Sequence, residues 1–440
     1  MSGYLTHSVS STGNRKIFTI SAWVKVNANT VNQTIFGAGT AGSNSGKFYF
    51  AISNGVVRIG GGANVYLVTN RVFRDPSSWY HFVCAVDTSQ GTSSNRIKFY
   101  VNGLQETSFS TSTYTSQDQN TPVNESGKIN TFGAEQGGGE SWDGYMTHMV
   151  LVDGAQLTAS NFGETDSTTG EWKPKADPTG VTYGTNGVFM KCENSGNFGL
   201  DSSGQGNNYT ANSFPTGAFT TDSASNNFAT LAPNNDRTQG GFTFSEGNLK
   251  VVTSGSNRNY ATLTQAFTSG KWYMECRFTG GADSGAVGVC DMSDLNMTNT
   301  SSLGDNANEI GVNATGAYEK NNVVTSGWAG TFTTNDVLGL CLDCDNNRFT
   351  LSKNGQFADG SGNYDEANPT AYLTYTAGNF MTFAVGERTN AGTATCQINI
   401  GNSPYTIASG NADAAGHGNF EYAVPSGYFA PCTKNLNTYG

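Results

Sequence analysis

Apolar residues recur at every second position through most of this chain. In Ile17-Phe-Thr-Ile-Ser-Ala-Trp-Val-Lys-Val26, the side chains of Phe18, Ile20, Ala22, Val24 and Val26 share one face, while Thr19, Ser21 and Lys25 share the other. That pattern predicts a half-buried strand. Ser78-Trp-Tyr-His-Phe-Val-Cys-Ala-Val-Asp87 and Arg96-Ile-Lys-Phe-Tyr-Val101 follow, and the latter runs into Asn102-Gly103, the favoured pair for a type I′ hairpin turn. Strands joined by tight hairpins predict antiparallel sheet. No long stretch carries apolar residues at i, i+3, i+4 and i+7 behind a capping residue, so helices are expected to be short and peripheral. The second half repeats this grammar. Gly270-Lys-Trp-Tyr-Met-Glu-Cys-Arg-Phe278 stands where Trp79-Tyr80 stood, and Asn347-Arg-Phe-Thr-Leu-Ser-Lys-Asn-Gly355 echoes Asn95-Arg-Ile-Lys-Phe-Tyr-Val-Asn-Gly103. Two copies of one architecture are expected.

Length agrees with that reading, because 440 residues exceed what one ordinary core holds. A content of 56 glycines, with abundant Ser, Thr and Asn, points to many turns, and 12% aromatic residues exclude a disordered chain. The predicted fold is all-β, with two tandem antiparallel β-sandwiches of jelly-roll type at 1–165 and 241–440, the second carrying a C-terminal tail. Residues 166–240 form a loop-rich bridge that is too aromatic for a free linker. It contains the turn run Asp201-Ser-Ser-Gly-Gln-Gly-Asn-Asn208 and the strand-like Gly187-Val-Phe-Met-Lys-Cys192, and part of it is expected to return and complete the first sandwich.

A formal net charge of −11 repels polyanions at long range and argues against a nucleic-acid partner. No charged and then apolar leader opens the chain, and no apolar run approaches the roughly 18 residues of a membrane span. The eight cysteines are scattered through apolar strand-like runs, which predicts buried reduced thiols rather than a disulfide framework. Cys341 and Cys344 lack the second pair of a structural zinc site, and strand alternation sends their sulfurs to opposite faces.

Phe18-Thr-Ile-Ser-Ala-Trp-Val-Lys25, Trp79-Tyr-His81, Phe99-Tyr-Val-Asn-Gly103, Phe132-Gly133 and Trp142-Asp-Gly-Tyr-Met-Thr-His-Met-Val-Leu-Val-Asp153 resemble, in this order, the strands of a laminin G-like, concanavalin A-like lectin domain. Gly270-Lys-Trp-Tyr-Met-Glu275, Val287-Gly-Val289, Asp336-Val-Leu-Gly-Leu-Cys-Leu-Asp343 and Phe349-Thr-Leu-Ser-Lys-Asn-Gly355 resemble a SPRY domain, also a concanavalin A-like sandwich. The bridge, through Phe162-Gly-Glu164, Trp172-Lys-Pro-Lys175, Tyr183-Gly-Thr-Asn-Gly187 and Asp222-Ser-Ala-Ser-Asn-Asn-Phe-Ala-Thr-Leu231, is similar to one in structural proteins of marine bacteriophages. Pro425-Ser-Gly-Tyr-Phe-Ala-Pro-Cys-Thr-Lys-Asn-Leu436 fits the same pattern. The resemblance implies a virion surface protein assembled in the bacterial cytoplasm, with other virion proteins as partners, a host surface glycan or protein as ligand, and a homo-oligomeric state.

Catalytic signatures are missing. A concanavalin A-like glucanase needs Glu-x-Asp-x-(x)-Glu along one strand to set acid and nucleophile across a glycosidic bond, and no such run occurs. There is no Gly-x-Ser-x-Gly, His-Glu-x-x-His or Gly-x-x-x-x-Gly-Lys, and His81 and His148 sit inside strand motifs that suit structural imidazoles. Gly37-Ala-Gly-Thr-Ala-Gly42 matches a dinucleotide pattern but precedes the strand Lys47-Phe-Tyr-Phe-Ala-Ile52 instead of a helix, so it reads as a glycine-rich loop. No cofactor is expected. Calcium is compatible with Glu140, Asp143 and Asp118 in predicted loops, although their spacing does not require it. Asp343-Cys-Asp-Asn-Asn347 departs from an EF-hand at Arg348 and Asn354 and reads as a hairpin turn.

For sugar binding, an exposed ring beside Asn or Asp is the usual device. Trp142, glycine-flanked in Gly137-Gly-Gly-Glu-Ser-Trp-Asp-Gly144, is the first candidate, with Asp143 as acceptor. The alternative is that Trp142 opens the next strand and packs inward. Tyr114 is a weaker second ring, while Trp23, Trp79, Trp272 and Trp328 are assigned to cores. Three function classes follow, in this order: a tail-fibre or adhesin-type binder; a capsid decoration or head-fibre protein, favoured by lectin-like sequence already at Tyr4 that leaves no room for an N-terminal anchor; and a secreted polysaccharide hydrolase.

Overall fold

A computed structural model describes residues 3–27, 32–43, 46–215, 217–233, 241–253, 259–293, 302–376, 380–388 and 392–440. The chain divides into two compact units, Met1–Phe219 and Thr220–Gly440.

The first unit opens with β1 (Tyr4–Ser8), β2 (Ile17–Val26), β3 (Gln33–Gly39), β4 (Phe48–Ser53), β5 (Val56–Gly61) and β6 (Asn64–Val72). It continues with β7 (Trp79–Asp87), β8 (Ile97–Val101), β9 (Leu104–Glu106), β10 (Phe109–Ser112), β11 (Ile129–Phe132) and β12 (Gly144–Asp153). Four short strands close it: β13 (Gly163–Thr165), β14 (Trp172–Pro174), β15 (Val188–Met190) and β16 (Thr210–Asn212). Eight strands form one antiparallel sheet in the order β10-β6-β5-β4-β3-β11-β1-β16, and six form the other, β15-β12-β2-β7-β8-β9. Alternation sends Phe18, Ile20, Ala22 and Val24 of β2 and Phe48, Phe50 and Ile52 of β4 into one shared core. There Phe50 meets Phe82 and Phe99 at centroid distances of 6.4 and 5.8 Å, and each fully buried ring contributes about 1.5–3 kcal/mol. The β8–β9 hairpin turns at Asn102 and Gly103 with φ of 47° and 88°, as a type I′ turn requires.

One strand departs from expectation. β2 is buried on both faces, with Thr19, Ser21 and Lys25 fully inaccessible: Lys25 lies against Tyr145 of β12, 5.6 Å from its ring centroid, and the chain after β12 folds back over the Thr19 and Ser21 end of this sheet. Phe162, Phe189, Trp172 and Tyr183 build a second small core there with Val83 and Val150. Thr19 and Ser21 are absorbed into it. Thr19 Oγ1 donates to the Ala155 carbonyl at 2.8 Å and accepts from Leu157 N at 2.9 Å.

The bridge is part of the sandwiches themselves. β15 adds to β12 at the edge of the six-stranded sheet, and β16 adds to β1 at the edge of the eight-stranded one. Residues 228 and 231 instead bridge to Cys432 and Leu263 of the second unit. The compact division falls at 219/220, within the 166–240 bridge, since these hydrogen bonds decide which core each piece joins. The 240/241 boundary itself lies at the edge of 234–240, outside the described residues.

The second unit repeats the architecture. Its larger sheet runs through Thr243–Ser245, Lys250–Val252, Thr395–Asn399, Lys271–Gly280, Val337–Asp343, Arg348–Lys353, Gln356–Ala358 and Tyr364–Glu366, with Leu373–Thr374 also on Arg348–Lys353. Tyr260–Thr262, Met381–Glu387, Gly285–Asp291, Ile310–Asn313, Tyr318–Lys320 and Val323–Thr325 form the facing sheet. Trp272, Met274, Leu338, Leu340, Phe349 and Phe383 fill the space between. Trp272 and Trp79 are not equivalent. Trp272 points into its core, whereas Trp79 is buried on the outer face of β7 beside Tyr145. The C-terminal segment covers the outer face of the larger sheet, where Phe420, Tyr428 and Cys432 pack on Tyr273 and Cys341. Thr433–Tyr439 is the one α-helix among the described residues.

All eight cysteines are free, and Cys192 alone is not fully buried. Cys341 and Cys344 face different cores, as alternation requires.

Candidate functional site

The outer face of the eight-stranded sheet carries a cleft of about 220 Å³. Its floor follows from alternation: Phe48, Phe50 and Ile52 point into the core, so Tyr49, Ala51 and Ser53 of β4 point out. On β5, Arg58 lies opposite Ala51 and Gly60 opposite Tyr49. A Cβ at position 60 would come within 2.2 Å of the Tyr49 hydroxyl, so the phenol end extends over this glycine and reaches the Asn64 carbonyl at 3.4 Å. Gly60 is what allows the ring to lie along the sheet. Burial pushes the Tyr49 phenol above its ordinary range, with Arg58 acting in the opposite sense.

The loop between β11 and β12 supplies one wall. It crosses β3 at Gly37, where a Cβ would meet the Ala134 carbonyl and Glu135 Cα at 3.0 Å. Two glycines at φ of 95°, Gly137 and Gly138, let it double back, with Glu135 N donating to the Gly139 carbonyl at 2.8 Å. Glu135 and Glu140 both border the cleft. Lys47 Nζ lies 2.5 Å from Glu135 Oε1 and 5.5 Å from the centroid of the Tyr49 ring. Asn32 Nδ2 donates to Glu140 Oε1 at 3.1 Å, and Asn32 Oδ1 accepts from Ser53 Oγ at 2.5 Å. A half-buried aromatic ring is thus surrounded by acceptors and donors on both sides.

Residues 2–161 match the concanavalin A-like lectin/glucanases superfamily, a laminin G-type family. The first unit has a concanavalin A-like sandwich fold. Among curated proteins none matches the chain. Solved structures similar to it include stonustoxin (17% identity, TM-score 0.29), of which 27% is spanned by 39% of this chain. The SPRY domain of human HERC1 is 13% identical with TM-score 0.28, over 34% of this chain and 87% of that one. The PSpry domain of TRIM65 is 16% identical with TM-score 0.28, over 39% and 91%. The chain therefore spans well under two thirds of the stonustoxin chain.

Within the lectin-like unit, the sequence candidates separate. Trp142 is only 3% exposed and packs in the core, so it offers no stacking face. Its backbone N–H donates to the Gly133 carbonyl at 2.8 Å and closes the loop that carries Glu140. The flanking glycines serve the loop's reversal and do not lift the ring into solvent. Asp143 pins the same loop from the side, accepting from Asn27 Nδ2 at 3.0 Å while its N–H donates to Gln33 Oε1 at 2.8 Å. Both are positioning residues. Tyr114 is half-buried against the core with φ of 53°. It follows β10 and Thr113, whose Oγ1 donates to the carbonyl of the cleft-lining Val65 at 2.8 Å, at the opposite rim of the sheet from Asp143 and Gln33. Asp118 is near that rim too, where Lys16 engages it at 3.0 Å. Glu140, Asp143 and Asp118 are therefore not brought together, and no group of three or more His, Cys, Asp or Glu placed to hold a metal occurs among the described residues.

The platform that sequence reasoning missed is Tyr49. The signal was present in Lys47-Phe-Tyr-Phe-Ala-Ile52, where alternation between two core phenylalanines puts a tyrosine on the outer face.

Other polar groups serve the fold. His81 is fully buried, and desolvation holds its imidazole down at about 3, with His148 adding to the effect. Asp343 accepts from Arg348 Nε at 2.9 Å and from Asn346 N at 3.1 Å, which makes Asp343–Asn347 a closed hairpin turn. Among the described residues no helix is long and apolar enough to cross a membrane.

Proposed function

We propose that this chain is a non-enzymatic, phage-type virion surface protein that binds a host surface glycan in the Tyr49 cleft, in the manner of a tail-fibre adhesin. The observation that carries this reading is the Tyr49 ring laid over Gly60 with Arg58, Asn32, Glu140 and the Lys47–Glu135 pair around it. An aromatic face supplies apolar contact to the C–H side of a pyranose, and the polar rim fixes its hydroxyls. The cleft volume, below the roughly 300–1,000 Å³ of drug-sized ligand sites, suits a terminal sugar residue.

A binding role is supported over hydrolysis by the origin of the carboxylates. Glu135 and Glu140 come from a single loop, and each is already engaged, by Lys47 and Asn32. Glycosidases instead set an acid and a base or nucleophile on either side of the scissile bond. The virion setting is supported by the resemblance of the bridge and the closing segment to marine phage structural proteins.

The reading is tested by passing purified protein over immobilised polysaccharides and host cell-wall fractions, with release of reducing ends measured in parallel. Retention on at least one glycan without release is expected. Absence of retention on all of them would shift the account to a capsid decoration role, and reproducible release would make the protein a hydrolase.

A further inference from the structure

The charges in the cleft are not evenly matched. Lys47 is closed by Glu135 at 2.5 Å, and Glu140 accepts from Asn32 at the exposed end of the loop. Arg58 differs, since no carboxylate among the described residues lies within ion-pairing distance of its guanidinium. The stretches of this unit outside the described residues contain no Asp or Glu. Arg58 stands half-buried beside the small Ala51, its partner in register on β4, and close enough to Tyr49 to act on its phenol.

We propose that the cleft selects a sugar residue bearing an acidic group, a carboxylate or a sulfate ester, and that Arg58 reads that group while Tyr49 carries the ring. This rests on the reading of the cleft as a glycan site. A guanidinium presents parallel N–H donors whose spacing matches two oxygens of a carboxylate or sulfate, and such paired, charge-assisted bonds are among the stronger polar contacts. Two opposing features shape the ligand. A net charge of −11 disfavours a long polyanion, and Glu140 at the rim repels a second nearby anion. The ligand is therefore a short or terminal acidic sugar, not a densely charged polymer.

Glu140 makes the inference sharp, because its effect has opposite signs for the two kinds of ligand. An acidic sugar gains when Glu140 is neutralised. A neutral sugar that uses Glu140 as an acceptor loses.

The experiment is isothermal titration of the full chain with three short probes of equal length: a neutral β-glucan trisaccharide, a galacturonic acid trisaccharide and a sulfated galactan trisaccharide. Wild-type protein, Arg58→Gln, Glu140→Gln and Tyr49→Ala are compared, with melting temperature as the folding control. At least one acidic probe should bind about tenfold or more tighter than the neutral one, and which acidic probe wins separates carboxylate from sulfate. Arg58→Gln should abolish that preference, Glu140→Gln should tighten the acidic probe, and Tyr49→Ala should weaken every probe. Equal binding of neutral and acidic probes, an unchanged preference in Arg58→Gln, or weaker acidic binding in Glu140→Gln overturns the inference and leaves the glycan reading standing. If no probe binds folded wild-type protein, both fail together.

Discussion

Trp172 Nε1 donates to His81 Nδ1 across 3.1 Å, which fixes the tautomer of a fully buried imidazole. Because Nδ1 accepts, the ring proton sits on Nε2 and points to Ser21 Oγ, 2.8 Å away. The same ring stacks on Trp23 at 4.6 Å between centroids. The relationship holds the chain after β12 against the outer face of β2 and β7, and it makes this sandwich a three-layered object at that point.

Removing the donor should be costly. Trp172→Phe keeps an aromatic ring but leaves Nδ1 buried without its partner, and a loss of about 1–3 kcal/mol is expected in urea titration of the full chain. An unchanged denaturation midpoint for the first unit would contradict this account of the layer.

His81 also sets an acid limit. Its folded-state value of about 3 lies below the ordinary 6.5, so the unfolded chain binds more protons between these values. Stability contributed by neutral His81 is complete above about 6.5 and is lost as pH falls toward 3. Melting of the first unit should decline over that window, and His81→Gln should flatten the decline while lowering stability throughout.

Glu275 in the second unit titrates with the opposite sign. Burial raises its carboxyl to about 7, against the N–H groups of Glu421 and Tyr422, Asn399 Nδ2 and the Tyr273 hydroxyl, all of which donate to it. The folded state therefore holds a proton that the unfolded state releases from about 4.5 upward. Stability is fully present below 4.5 and is lost as pH rises through about 7, by an amount of order 3 kcal/mol. Glu275→Gln should remove this slope. A melting temperature for the second unit that is flat or rising over this window would contradict the assignment.

Gly37 has a packing role that its place in Gly37-Ala-Gly-Thr-Ala-Gly42 conceals. Gly37→Ala would push a methyl against the Ala134 carbonyl and Glu135 Cα at 3.0 Å, so a cost of about 1–3 kcal/mol and weaker sugar binding are expected together. Full binding at wild-type stability would show that the loop does not depend on this close approach.

Much of this architecture was legible in the alternation of single strands. Phe18 to Val26 and Phe48 to Ile52 point where period two puts them, and Asn102-Gly103 turns as its residue types demand. What alternation cannot carry is coverage from elsewhere. Thr19 and Ser21 look solvent-facing until residues far along the chain arrive to bury them. The same limit explains the site. The loop at 137–144 was identified from its glycines, but a loop's composition does not say which of its side chains turns inward. Trp142 enters the core because a large apolar ring gains more there than at a tip, and Glu140 takes the outer position. Tyr49 is not legible in its own strand because its value depends on Gly60 across the sheet, a pairing set by register.

The most direct test of the central claim sets Tyr49→Ala beside Trp142→Ala on whichever glycan retains the wild-type protein. Tyr49→Ala should weaken binding by about tenfold or more while the melting temperature stays nearly unchanged, as expected for a surface ring worth at least about 1–2 kcal/mol of contact. Trp142→Ala should lower stability by about 3–5 kcal/mol as a core truncation. Wild-type affinity in a folded Tyr49→Ala protein would contradict the claim that this cleft binds the glycan.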